Sequence, residues 1–574
     1  MKSPATSRRP PALDFVSPLP PVHSGIADYS VDLLPALVER AAVRVLGLPG
    51  QPVDPDVVER FGVVPAEGAA PEGRLPLYQM GNNRYHEAVE RMALARPGVL
   101  TLHDLVLHHL LSEEYLSRID FEGYRRRLTA DHGWIGAQAA RPRRWGAEVQ
   151  AMLFELPAHR TLLRRQRGVL VHNRWAAERI GAEDPEIRVR VVPMGVPLPA
   201  AVDAGAGRAF RRRLGIPEDA PVLGSFGFQT PIKRTAKAVE ALAAPELAAA
   251  HLLVVGESPR APTAEGGDQG GGDDAAAAGP GVLEVLAREL GVAERVHETG
   301  FVPWEDFEAA IAACDLCLNL RYPTAGETSA SLLRVLAAGR GAVVSDYGQF
   351  AELPEAVALK VPLGDGEIPG LVAGLAELLA APERLAAMGR AARRHVADHH
   401  DPAAAAAAVV DACADWATAD PPGDRPADPP PPTTLTWWGL EGRIEVDGID
   451  APWPAGSRRR LGVRVTNVPE AGRVAGGGAR WLAAWRGAGG VALRSVLDTP
   501  RGDLLAGRPW LPLPRDLAPG ESHRFEVEIR RPPGPARLRF DLQVADDTAT
   551  PALHEHTRHH GPIVARAPVW EGAI

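Results

Sequence analysis

The sequence is poor in cysteine: Cys314, Cys317 and Cys413 are the three in a chain of 574 residues. They are too few and too clustered to frame a disulfide-stapled fold, so a reducing compartment is expected. The C-x-x-C pair lies in the apolar run "IAACDLCLNL" with no second ligand pair nearby, which reads as buried small hydrophobes and not as a zinc site. Long apolar stretches are missing too. The amino terminus "MKSPATSRRPPALDF" lacks the apolar core of about 7–15 residues that a secretory signal uses, and no run of about 18 uninterrupted apolar residues occurs. A cytoplasmic protein is expected, with peripheral contact at the inner membrane face left open. Positive charge is not in excess either; a net charge of -9 gives no reason to expect nucleic acid as a partner.

What is present is the composition of an ordinary folded protein, 45% hydrophobic and 24% charged. Since one core seldom grows past about 250–300 residues, several domains are expected. From residue 12 to about 415, short apolar runs alternate with longer amphipathic ones, the pattern of repeated βα units around parallel sheets. "GVLTLHD", "GVLVHN", "APVLGSFG", "AHLLVVGE", "DLCLNLR" and "GAVVSD" read as buried strands ending in polar or glycine residues, and in open α/β sheets ligands bind at that edge.

Breaks in this rhythm suggest domains at 12–205 and 206–418, the second carrying a mobile glycine-rich acidic loop at 258–281 whose removal should leave folding intact. A proline-rich spacer spans 419–434. From 435 to 574 short alternating runs such as "RLGVRVTNV" and "HRFEVEIRR" predict an all-β, immunoglobulin-like sandwich. Its Trp437, Trp438 and Trp510 could fill a core or stack on sugars. Its His554, His556, His559 and His560 read as a surface loop before they read as a metal site, because spacing without a second shell is weak evidence.

Four stretches could carry chemistry. Gly25, in "SPLPPVHSGIADYS", falls where a strand turns into a helix whose free N–H groups suit an anion. His103 ends a strand and could bond a sugar hydroxyl, whereas Asp104 reads more simply as a cap for the helix after it. In "GSFGFQTPIKRTAKAV", Gly227 marks a strand end and Lys233 and Arg234 bring cations to a helix start, where the dipole favours anions and Thr235 could cap. In "RYPTAGETSASLLRVLAAG", Thr328 or Ser329 caps a helix that buries Leu332, Leu333 and Leu336. Glu327 stands just ahead of that anion-binding end, placed to hold the hydroxyls of a sugar or ribose, or merely to complement the dipole.

In order, "PPVHSGIADYS", "YQMGNNRYH", "LTLHD", "VLVHNRWAAERI", "VRVVPMGV", "GFQTPIKR", the stretch from "HETGFVP" to "LLRVLAAG", and "VVSDYGQFAELP" resemble retaining glycosyltransferases of family 4 over about 400 residues. The resemblance implies an α/β GT-B architecture, two Rossmann-like domains facing a cleft, with a nucleotide-diphosphate sugar as co-substrate, no cofactor and no metal. The acceptor would be a glycan or a lipid-linked glycan, in cell-surface polysaccharide biosynthesis. By the same resemblance Lys233 and Arg234 would neutralise the diphosphate with the Thr328 and Ser329 amides behind it, and His103 would contact the transferring sugar. Gly25 would shape the donor-facing loop, Gly300 and Phe301 would receive the base, and Asn82, Asn83 and His86 would line the cleft.

Two departures stand out. The arginine expected ahead of Lys233 is missing from "GFQT", and where a second glutamate is expected, five residues before Gly339, the chain has Arg334. Seven helical residues turn through about 700°, so Arg334 should lie near the direction of Glu327, with Ser331 between them. Arg334 is therefore expected to orient Glu327 or to reach the diphosphate. A catalytically silent nucleotide- or glycan-binding scaffold is the competing expectation, and an epimerase or phosphorylase on the same fold is a third without specific support.

Overall fold

The computed structural model describes residues 11–67, 73–143, 150–199, 203–258, 281–423, 442–449 and 453–467, and between 482 and 573 a series of strands with some of their turns. The chain divides into two compact units, one of residues up to 110 with 162–424, the other of 111–161 with 425–574.

In the first unit, seven strands form a sheet: β1 (Leu13–Val16), β2 (Val43–Gly47), β3 (Val64–Pro65), β4 (Leu75–Met80), β5 (Val99–Leu102), β6 (Gly168–Val171) and β7 (Val189–Val191). A second sheet holds β8 (Val222–Phe226), β9 (His251–Val255), β10 (Val296–Glu298), β11 (Leu316–Asn319), β12 (Gly341–Ser345) and β13 (Ala358–Val361). Both sheets are wholly parallel, in the orders β3-β2-β1-β4-β5-β6-β7 and β10-β9-β8-β11-β12-β13. Strands covered by helices on both faces need apolar side chains in both directions; hence every residue of β1, β4, β5, β6, β8, β11 and β12 is buried. Strand order reverses between β1 and β4 and between β8 and β11. Crevices open at the carboxyl ends of such pairs, and these four ends carry most of the candidate residues.

One carboxylate interrupts the apolar pattern. Asp14, 1% exposed in β1, lies in register with Arg44 of β2 and is held by Arg44 at 2.8 Å, Arg74 at 3.0 Å and Arg96 at 3.1 Å. A buried charge needs such compensation.

The last helix of the unit, Pro402–Trp416, returns to the first sheet although sequence order groups it with the second. It packs on the helix Gly25–Val38, and Trp416 lies so close to Gly168 that any Cβ there would meet its ring. One hydrophobic cluster consequently runs from β1 and Gly25–Val38 through Pro402–Trp416 to the helix Ala330–Ala337 and β12. Cys314 and Cys317 pack in a neighbouring cluster beneath β8 and β9.

The second unit has a helical part, in which Phe121–Arg143 breaks at Gly133 and Leu111, Tyr124, Leu128, Ala140 and Ala158 form a small core. Its β part contains β14 (Gly442–Asp447), β15 (Arg458–Asn467), β16 (Leu482–Ala483), β17 (Gly490–Asp498), β18 (Leu504–Gly507), β19 (Leu511–Pro512), β20 (Ser522–Arg530), β21 (Arg537–Ala545) and β22 (Val569–Ala573). The sheet β14-β15-β20 and the sheet centred on β17 and β21 share one core that includes Val463, Val527, Leu493 and Phe540. Residues 259–280, the spacer from 424 on, Trp437, Trp438, Trp510 and the four histidines at 554–560 lie outside the described residues. Among the described residues no helix is long and apolar enough to cross a membrane.

Candidate functional site

The carboxyl ends of β8 and β11 meet at the crevice of the second sheet. After β8 the chain turns at Gly227, whose φ of 84° is left-handed and where a Cβ would stand 2.7 Å from the Lys233 Nζ. Glycine here is what lets the lysine fold back, and its ammonium donates to the Phe226 carbonyl at 2.5 Å. After β11 comes Arg321, 6% exposed, whose Nε donates to Glu327 Oε1 at 3.1 Å. The Thr324 hydroxyl donates to Glu327 Oε2 at 3.0 Å while accepting from the Gly326 N–H and the Gln349 amide. Both oxygens of Glu327 are thereby oriented. Ser329 caps the helix Ala330–Ala337 by accepting from the Leu332 N–H, and its own hydroxyl reaches Asn319 Oδ1; Ser331 Oγ lies 3.2 Å away. Leu332, Leu333 and Leu336 are buried as the spacing implies. Beyond, Gly300 bonds through its carbonyl to the Gly256 N–H, and Phe301, 66% exposed, meets the His23 ring edge-on at 5.3 Å.

Three expectations for this half are corrected. Arg334 does not orient Glu327; it reaches across the cleft to Asp32 at 2.5 Å, with its guanidinium 4.5 Å from the centre of the Trp304 ring. Helical direction placed it on the right face, but a closer carboxylate waits on the helix Gly25–Val38, and Arg321 already holds Glu327. Arg234 is not a free diphosphate ligand, because its Nε and Nη2 form a buried two-pronged pair with Glu367. Thr235 caps nothing with its side chain, which donates to Gln229 Oε1 at 2.6 Å.

On the first sheet, Gly25 opens its helix behind the cap Ser24. No protein atom would meet a Cβ there, so packing does not require glycine. His103, at the end of β5, is 4% exposed and sits in a buried chain: its Nε2 is 2.9 Å from Gln79 Oε1 and its Nδ1 is 3.3 Å from His172 Nε2. His172 Nδ1 lies 3.1 Å from the Val192 carbonyl, which can only accept. His172 therefore donates there and accepts from the His103 Nδ1–H; His103 Nε2 is left to accept from the Gln79 amide nitrogen, once that amide is turned end for end. Burial, and next His172, keep the imidazole well below the ordinary histidine range and neutral. Neither ring nitrogen remains for a sugar hydroxyl, which corrects the expectation for His103.

Asp104 is not the helix cap expected of it. The following helix starts only at His108, and Asp104 Oδ2 accepts the Asn82 N–H at 2.9 Å. Burial, then the charge of Glu327, push its carboxyl up to about 7 against that hydrogen bond. The charge of Glu327 is thus felt at Asp104. Asn82 and Asn83 are half-buried and brace the fold, Asn82 bonding His109 and the Leu110 N–H and Asn83 capping the turn at Arg84–His86, while His86 is fully buried with burial pushing it down to about 3.

Polar contacts close the two halves on one another. Asn173 Nδ2 donates to the Gly326 carbonyl at 3.0 Å and to Thr328 Oγ1 at 3.1 Å, and the Val106 N–H donates to the Ala325 carbonyl. Glu352 accepts from the Arg174 and Trp175 N–H groups at the start of the helix Arg174–Glu183. Sequence reasoning missed Arg321, Asp32, Asn173 and Glu352. Arg321 and Asn173 had a signal in the chain, each standing two residues past a strand end, in "DLCLNLR" and "GVLVHN".

Comparison with known proteins adds to this geometry. Residues 234–411 match the family model described as "Glycosyl transferase-like". The D-inositol 3-phosphate glycosyltransferase of Stackebrandtia nassauensis is 39% identical over 140 residues, 23% of this chain and 28% of that protein, so the match spans well under half of that relative. Among solved structures, sucrose-phosphate synthase from Thermosynechococcus elongatus is 18% identical with a TM-score of 0.50, covering 70% of this chain and 98% of that one. HepE of Anabaena, in complex with UDP and glucose, is 15% identical with a TM-score of 0.45 over 70% of this chain and 99% of its own. The fold is thus GT-B-like, two parallel α/β sheets whose crevices face each other.

Proposed function

We propose that the chain is a retaining glycosyltransferase, moving a sugar from a nucleotide-diphosphate sugar to a glycan or lipid-linked glycan without a metal. The observation that carries this reading is the convergence of Lys233, Glu327 and the Ala330–Ala337 helix start on the crevice between β8 and β11. The helix start offers N–H groups and Lys233 a cation to a diphosphate, and Glu327 can accept from hydroxyls. As the bond from the anomeric carbon to the phosphate oxygen breaks, these groups stabilise the charge left on the diphosphate. The acceptor oxygen bonds to the same face, and its proton passes to the departing phosphate oxygen. The likeness of residues 234–411 to glycosyl transferases supports the assignment. A role in cell-surface polysaccharide assembly is part of the proposal.

The internal bonding of His103 favours a second reading, a chain that binds nucleotide or glycan without turnover. Incubating the full chain with UDP-, GDP- and ADP-sugars separates the two. Release of nucleotide from one donor, lost in Glu327→Ala, is expected. Donor binding without release across a panel of acceptors would establish the second reading instead.

A further inference from the structure

Four basic residues converge near the crevice of the second sheet, and two are already engaged: Arg234 by Glu367, and Arg334 by Asp32 and Trp304. Lys233 and Arg321 remain. Their segments are joined, since the Tyr322 N–H donates to the Ile232 carbonyl at 2.9 Å, which sets the two cationic residues side by side. Arg321 is anchored at several points. Its N–H donates to Ser345 Oγ at 3.0 Å, its Nη1 to the Leu320 carbonyl at 3.3 Å and its Nε to Glu327. Among the described residues its Nη2 takes no partner. Two basic side chains thus share one carboxylate in a largely buried place at the strand ends, and the donors left over suit the oxygens of an anion.

We propose that Arg321 is the second cation of a nucleoside-diphosphate subsite, paired with Lys233 and pre-oriented by Glu327 before the ligand arrives. The inference rests on the donor-binding reading above and assigns its phosphate contacts to this chain's own residues. A guanidinium fixed through Nε and Nη1 presents its remaining N–H donors in one plane, suited to phosphate oxygens. Burial, and next the Arg321 charge, hold the Lys233 amine well below the ordinary lysine range, with Glu327 opposing. A diphosphate placed beside the two side chains adds negative charge that opposes this lowering.

Calorimetry on the full chain tests this with UDP, GDP and ADP and the matching nucleoside monophosphates. For the wild type, diphosphate binding is expected. Arg321→Gln should weaken the diphosphate ~10- to 100-fold, the loss of a charge-assisted contact, and the monophosphate far less. Equal weakening of both nucleotides, or an unchanged diphosphate affinity, would overturn the role of Arg321 and leave the donor-binding reading standing. If the wild type bound none of the three diphosphates, that reading would fall and take the inference with it. Should Arg321→Gln not fold, Arg321→Lys carries the same comparison: the charge without the planar fork should still cost the diphosphate more than the monophosphate, and an unchanged ratio overturns the proposal.

Discussion

At the scale of single residues, the crevice combines groups whose ordinary charges are disturbed. Asp104 is the clearest, its carboxyl pushed up to about 7 by burial and by Glu327. An unfolded aspartate titrates near 3.9. Between about pH 4 and 7 the folded chain therefore binds the extra proton, and stability from this residue falls as pH rises through that window, with the penalty complete above it. Asp104→Asn should raise the melting temperature at pH 8, with the gain closing as pH is lowered toward 4; a gain that grows in acid would contradict the assignment. The neighbouring residues show where sequence reasoning stops. Glu327, Lys233 and Ser329 could be placed at strand and helix ends because local chemistry fixes them there. The partners of Arg234 and Arg334 stand 133 and 302 residues away, and no periodicity reveals pairs so distant in the chain.

At the scale of elements, the parallel strands were legible because burial on both faces writes itself as uninterrupted apolar runs: "GVLTLHD", "GVLVHN", "AHLLVVGE" and "GAVVSD" contain β5, β6, β9 and β12. Asp14 was not singled out, since a lone aspartate inside "LDFV" gives no hint of three arginines arriving from later segments. Its carboxylate ties β1 to Arg44 on β2 and to Arg74 and Arg96 flanking the next two strands. Asp14→Ala would leave those cations facing one another without their shared anion. A loss of about 3–5 kcal/mol is expected, read from urea or thermal unfolding, and a change below about 1 kcal/mol would show that water reaches the cluster.

At the scale of the molecule, the two halves of the first unit meet through oriented polar groups: Glu352 on the N–H groups of Arg174 and Trp175, Asn173 on the Gly326 carbonyl, and Arg334 on Asp32. A carboxylate at a helix start contributes on the order of 0.3–1 kcal/mol, and salt screens it. The closed arrangement should accordingly loosen with ionic strength. In solution scattering, Glu352→Gln should show a larger radius of gyration than wild type in 50 mM salt, and the difference should shrink in 1 M salt. Equal radii at low salt would mean that the remaining contacts hold the halves together without Glu352.

The return of Pro402–Trp416 to the first sheet also has a temporal side. Trp416 lies over Gly168, more than two hundred residues after the strand it covers has left the ribosome. At ~5–20 residues per second, that interval is on the order of 10–50 s. Throughout it the apolar side of Gly25–Val38 waits without its cover, so a nascent chain stalled before residue 402 should be a chaperone client, whereas the full-length chain should not.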